Sequence, residues 1–106
     1  MKKAKYYWEL AAVRGDVLAR YNLGILEAEA RNMDRAVKHW MIAAGAGYDN
    51  SLKQIRGGYM NGHVTKDDFE RALRAHQAAK NEMKSEQREA AAAFLAAKNR
   101  MHPRGV

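Results

Sequence analysis

The side chains most able to bind a metal or move a proton near neutral pH are four histidines, His39, His63, His76 and His102. No two of them stand in an H-E-x-x-H spacing, and there are no cysteines to complete a ligand set. His76 falls among apolar residues at helical spacing and reads as a partly buried filler. His39 adjoins Trp40 but points off its face. No metal and no cofactor is expected. Paired carboxylates for hydrolysis must converge on one pocket. Glu27 and Glu29 face differently on a helix, and Asp67, Asp68 and Glu70 crowd one helix start, where negative charge suits the helix dipole. The serine and threonine hydroxyls are those of Ser51, Ser85 and Thr65, none of them in a nucleophile elbow. The glycines of RGGYMNG lack the Lys-Ser or Lys-Thr end of a phosphate loop. The residues therefore predict a protein that is not an enzyme.

The elements that carry these side chains are helical by composition. Of 106 residues, 20 are alanine, while valine, isoleucine and threonine together number nine. The only proline is Pro103, so no helix before it is interrupted. A mass of 12.0 kDa allows one small domain. No apolar run is long enough to cross a membrane, and MKKAKYYWEL lacks the clean apolar stretch of a leader peptide. With no cysteines, an intracellular location is the expectation. The net charge is +7, with eight bases and six acids in residues 1–50 and eleven bases and six acids in residues 51–106. Arg14, Arg20, Arg31, Arg35, Lys38, Lys53 and Arg56, with Tyr6, Tyr7, Tyr21 and Tyr48, supply charge and rings for weak nucleic-acid binding. A basic outer face is the simpler reading, because matched Trp positions suit a core better than a stacking platform.

Those positions belong to an internal repeat. KYYWELAAVRGDVLARYNL aligns with VKHWMIAAGAGYDNSLKQI. At one offset of 32, Trp8 maps to Trp40, Ala11 and Ala12 to Ala43 and Ala44, Gly15 to Gly47, Ala19 to Ser51 and Leu23 to Ile55. At an offset of 36, Ala36, Val37, Trp40 and Ala43 map to Ala72, Leu73, His76 and Ala79. Such a unit accommodates two short helices and two turns. Trp8, Ala11, Ala12 and Gly15 share one helical face, and small residues beside one ring permit close helix approach.

Helices are predicted over residues 3–14, 17–30, 33–44 and 50–60, with a fifth opening after Thr65. Gly15 and Gly47 close the two Trp helices. Asn32 is the expected cap of the third helix, and Thr65 with Asp68 forms a capping box for the fifth. Gly57 and Gly58 read as tolerated or fraying positions ahead of a close helix crossing. Residues 66–100 lack proline and glycine. They read as one helix or as two broken near Lys84 and Ser85, with the break favoured and Ser85 as the second cap. Phe69, Ala72, Leu73, His76, Ala79 and Met83 form one stripe, and Ala90, Ala93, Phe94 and Ala97 a later one. A projecting helix would expose Phe94 and Leu95, making it a candidate for capping or self-association as a homodimer. Residues 102–106 are expected to be disordered.

The strings VLARYNLG and DRAVKHWMIAAGAG give the chain a family likeness. It resembles the Sel-one-like repeats, relatives of the tetratricopeptide family, and most of all the divergent versions of single-celled algae, in which phrases such as NMDRAVKHWMIAAGAGYDNSLK and YMNGHVTKDDF recur. Ala19, Leu23 and Gly24 match the first helix of that signature, and Ala36, Trp40, Ala43, Ala44 and Gly47 the second. Ser51, Ile55, Tyr59 and Gly62, then Ala72, match the next unit. Glu27, Ala30, Arg56 and His76 depart from it, and the chain opens at the second helix of a unit. The resemblance implies an all-α fold, a short α-solenoid of stacked antiparallel helix pairs, to which the residues after Thr65 add a long C-terminal helix. Residues 1–85 would form about two and a half units and residues 86–106 the terminal helix and tail. It also implies a scaffold that binds a protein or peptide. First helices line the inner face of such stacks, so Tyr21, Asn22, Glu27, Asn50, Lys53, Gln54 and Arg56 are the expected partner-binding residues.

Overall fold

The computed structural model describes residues 2–101. The tail expected to be disordered, with His102, lies outside the described residues. The described residues form five helices, α1 (Lys2–Val13), α2 (Val17–Glu29), α3 (Met33–Gly45), α4 (Asp49–Met60) and α5 (Lys66–Met101). Short turns make consecutive helices antiparallel neighbours. Each helix packs on the next, and α3 packs also on α5. The molecule measures 67 × 34 × 15 Å with a radius of gyration of 19.1 Å, against about 13 Å for a compact chain of this length.

The turns share one mechanism. Gly15, Gly47 and Gly62 adopt φ of 91°, 92° and 83°. The next backbone N–H in each case donates back to the preceding helix: Asp16 to the Ala11 carbonyl at 3.0 Å, Tyr48 to Ala43 at 3.1 Å and His63 to Gly58 at 2.8 Å. The same closure follows α2, where Asn32 N–H donates to the Glu27 carbonyl at 2.8 Å, but the left-handed residue is Arg31, with φ 65°. The first four helices thus end on one motif at near-regular spacing, one of them without glycine.

Caps open two of the helices. Asp16 Oδ1 accepts from the Ala19 N–H at 3.0 Å, and Thr65 Oγ1 accepts from the Asp68 N–H at 3.1 Å. The expected box at Thr65 is only half formed, because the Asp68 carboxylate accepts from Arg71. Asn32 precedes α3 but makes no side-chain cap; its amide serves Glu27. The expected break at Lys84 and Ser85 is absent. α5 runs unbroken for 36 residues, and no residue in it, glycine or otherwise, takes the left-handed conformation that closes the other helices.

Three of the pairs 32 apart are buried alike, Ala12 with Ala44, Ala19 with Ser51 and Leu23 with Ile55. Ala12, Ala19 and Leu23 form one buried cluster with Trp8 against it; Ala44 and Ile55 lie with Trp40 in the other, beside Ala36, Val37, Val64 and Ala72, and Ser51 is buried too. Leu23 and Ile55 are fully buried, worth about 1.5–3 kcal/mol each. Trp40 is 2 % exposed, whereas Trp8 is half-buried on the outermost helix of the stack. Gly24 is the contact that seats Trp40: a Cβ built there would lie 2.3 Å from the indole Nε1. Gly58 is likewise a close approach, with Val64 Cγ2 at 2.7 Å from such a Cβ, so it is not merely tolerated; Gly57 meets nothing within 4 Å.

Candidate functional site

Side chains of α2 meet those of α4 and of the turn before it. Tyr21 and Tyr48 meet at a ring-centroid distance of 5.2 Å, and Gln54 Nε2 donates to the Tyr21 hydroxyl at 3.4 Å. Asn22 is half-buried, and Asn50 and Lys53 are exposed. Asn50, Lys53 and Gln54 share one helical face. Tyr21 and Gln54 thus meet, with Asn50 and Lys53 on the Gln54 face of α4 and Asn22 and the exposed Leu18 on the Tyr21 face of α2. Arg56 is exposed but lies roughly 100° round the helix from the middle of that α4 face, since each residue turns about 100°.

Glu27 does not belong to an exposed face. It is 5 % exposed, and its Oε1 lies 3.2 Å from Lys5 Nζ while its Oε2 accepts from Asn32 Nδ2 at 3.1 Å. Burial pushes its pKa up, but the bonds from Lys5 and Asn32, with the charges of Lys5 and Arg35, outweigh this and hold it below the usual 4.5. Glu27 is therefore a tie between α1, α2 and the turn before α3. The sequence held no sign of this, because Lys5 and Glu27 are 22 positions apart. The aspartate of the α2 cap, by contrast, stands in a readable place just before a helix.

Beyond these residues, α1 and α3 flank a groove floored by α2. One end, about 360 Å³, is lined by Lys5, Glu9, Arg20, Glu27, Arg35 and His39 among others. The other, about 240 Å³, is more apolar, with Val17, Ile42, Ala43 and Ala46. Arg20 bridges the two, its guanidinium 3.4 Å from both the Ala12 carbonyl and His39 Nδ1. Burial, then Arg20, hold the His39 pKa below the ordinary 6.5, so the neutral ring accepts from Arg20.

His76 packs as the expected filler and ties α5 to α4: its Nε2 donates to Asp49 Oδ1 at 2.7 Å, and Lys80 Nζ lies 3.2 Å from the same oxygen. Those two partners hold Asp49 below its ordinary 3.8. Among the described residues, no group of three or more histidines, aspartates and glutamates is placed to hold a metal ion. Of the rings available to a polyanion, Tyr6 and Tyr7 are exposed and pack edge-to-face, while Tyr21 and Tyr48 are engaged with each other. Phe94 and Leu95 are 68 % and 57 % exposed. They lie on the half of α5 beyond Lys80, where every described side chain is exposed.

The fold and these surfaces define an all-α protein of closely stacked helices, none of them long and apolar enough to cross a membrane. No protein-family model, no curated protein and no solved structure matches the chain.

Proposed function

We propose that this chain is a non-catalytic, intracellular interaction module of the Sel-one-like kind, and that it holds a protein or peptide partner across α2 and α4. The observation that carries the reading is the surface formed by Tyr21, Tyr48 and Gln54, flanked by Leu18, Asn50 and Lys53. A ring pair, one hydroxyl of which accepts from Gln54, beside one exposed apolar side chain and one cation suits a short peptide with an apolar and an acidic residue. The matched burial of Ala12 and Ala44, of Ala19 and Ser51 and of Leu23 and Ile55 supports a repeat stack as the scaffold. The test is affinity capture with the full chain beside Tyr21→Ala and Gln54→Ala, each checked for unchanged helicity. Recovery of the same partners at the same yield by both variants overturns the reading. A second reading, assembly of identical chains through α5, is favoured by the exposure of Phe94 and Leu95.

A further inference from the structure

The line along which α5 meets the rest of the molecule continues past it. Ala72 is buried in the larger core cluster and His76 is bonded to Asp49. Ala79 and Met83 approach Gly47, with Ala79 Cβ 3.5 Å and Met83 Cε 2.6 Å from where a Cβ would stand. At the same three- and four-residue steps the line runs on through Gln87, Ala90, Phe94 and Ala97, all exposed. The helix face that binds α3 and α4 is therefore repeated, unpartnered, on the projecting half.

We infer that a second copy of this chain covers it, with the two α5 helices antiparallel. The inference rests on the self-association reading and adds a direction and a register. Geometry selects the direction. A second helix laid along this line in the same sense would run into α3 and α4 at the level of Met83. Laid in the opposite sense, it overlaps residues 84–101, about 27 Å at 1.5 Å per residue, and each body lies beyond the other helix's tip. Side-chain size fits: with the helices centred on Ala92, Phe94 of one copy stands opposite Ala90 of the other, twice by symmetry, so ring meets methyl. Charge fits as well. Residues 81–90 carry Glu82, Glu86 and Glu89 against Lys84 and Arg88, and residues 91–100 carry only Lys98 and Arg100. Antiparallel pairing sets the acidic end of each helix against the basic end of the other, and places Glu86 by Arg100 of the second copy. On the opposite edge Lys84 faces Lys98 of the second copy, an unfavourable pair that tempers affinity. The overlap is shorter than a standard stable interface requires, so exchange in the micromolar range is expected.

The chain has no cysteine, which makes cross-linking directional. Light scattering is expected to show a concentration-dependent dimer whose dissociation constant rises at least tenfold in Phe94→Ala and falls several-fold in Lys84→Glu, with thermal unfolding monitored to show that neither variant unfolds. Under mild oxidation Ala93→Cys is expected to cross-link to itself. Glu86→Cys is expected not to, yet to cross-link when mixed with Arg100→Cys. A monomer at every concentration overturns both the register and self-association. A dimer in which Glu86→Cys links to itself, in which Phe94→Cys links to Ile42→Cys in the α1–α3 groove, or in which none of these links forms, overturns the antiparallel register and leaves self-association standing.

Discussion

Substituting Gly24 by alanine tests the packing on which the stack depends. A methyl group there would lie 2.3, 2.5 and 2.9 Å from Nε1, Cδ1 and Cε2 of Trp40. An ordinary contact begins near 3.4 Å, so the indole must move by about 1 Å or the two helices must separate. The ring has no room to yield, being 2 % exposed in a cluster with Ala36, Ala44 and Ile55. Overpacking of this kind costs about 1–3 kcal/mol. Here it exceeds that range, because three atoms of one rigid ring are struck at once; we set the strain at about 3–4 kcal/mol. Alanine in a helix interior returns about 1 kcal/mol relative to glycine. The net expectation is a loss of about 2–3 kcal/mol, a fall in Tm of about 10–20 °C at this size. Denaturant unfolding followed by far-ultraviolet circular dichroism and by tryptophan emission measures it. Gly57→Ala is the internal control: nothing lies within 4 Å of its added methyl, so that variant should gain about 1 kcal/mol. A Gly24→Ala protein as stable as the parent, or one that shifts in the same direction as Gly57→Ala, would refute the account of how Trp40 is seated.

Arg31→Gly should stabilise by about 0.5–1 kcal/mol, because Arg31 holds φ of 65° where the other three turns hold glycine; calorimetry decides it, and a loss counts against the strain. Ser51→Ala should stabilise by about 1 kcal/mol, since among the described residues the buried Ser51 hydroxyl has no hydrogen-bond partner and alanine already fills the matching position at Ala19; a destabilised variant would mean that the hydroxyl is satisfied. Acid should weaken the fold in two stages. His39 resists protonation in the folded state, so the unfolded chain takes up the extra proton and stability falls as pH drops below about 6.5 toward the lower folded value; His39→Gln should flatten that stage in pH-dependent denaturant titrations. Glu27 and Asp49 keep their charge below 4.5 and 3.8, so their contribution is whole above those values and is lost as pH falls through the lower folded ones; a Glu27→Gln protein with an unchanged acid limb speaks against the tie to Lys5.

Local signals foretold most of the helices. Gly15 and Gly47 end theirs in the left-handed conformation, Thr65 caps α5, and Ala12 with Ala44, Ala19 with Ser51 and Leu23 with Ile55 are buried alike, whereas Trp8 and Trp40 are not. What escaped was set by contacts between distant segments. Asn32 stands where a cap belongs, but a buried carboxylate claims its amide. Glu27 carries the polarity of a surface residue, yet Lys5 of another helix makes its burial tolerable. Arg56 replaces the glycine that Gly24 represents, and no crowding results: it is exposed, and the side chain in the place of Trp40 is His76, which bonds to Asp49. The break expected at Ser85 failed for a different reason: a residue that can cap a helix does not end the preceding one, which takes a glycine or a strained substitute.

That requirement bears on the molecule's proportions. Gly47 ends α3, and its counterpart 36 positions later is Met83, the point where α5 leaves the body. With no reversal there, the chain spends its last described residues as a spar instead of another layer. The 67 Å length is thus an omission written at a single position, and a flexible turn inserted beside Met83 should shorten the particle without touching its core.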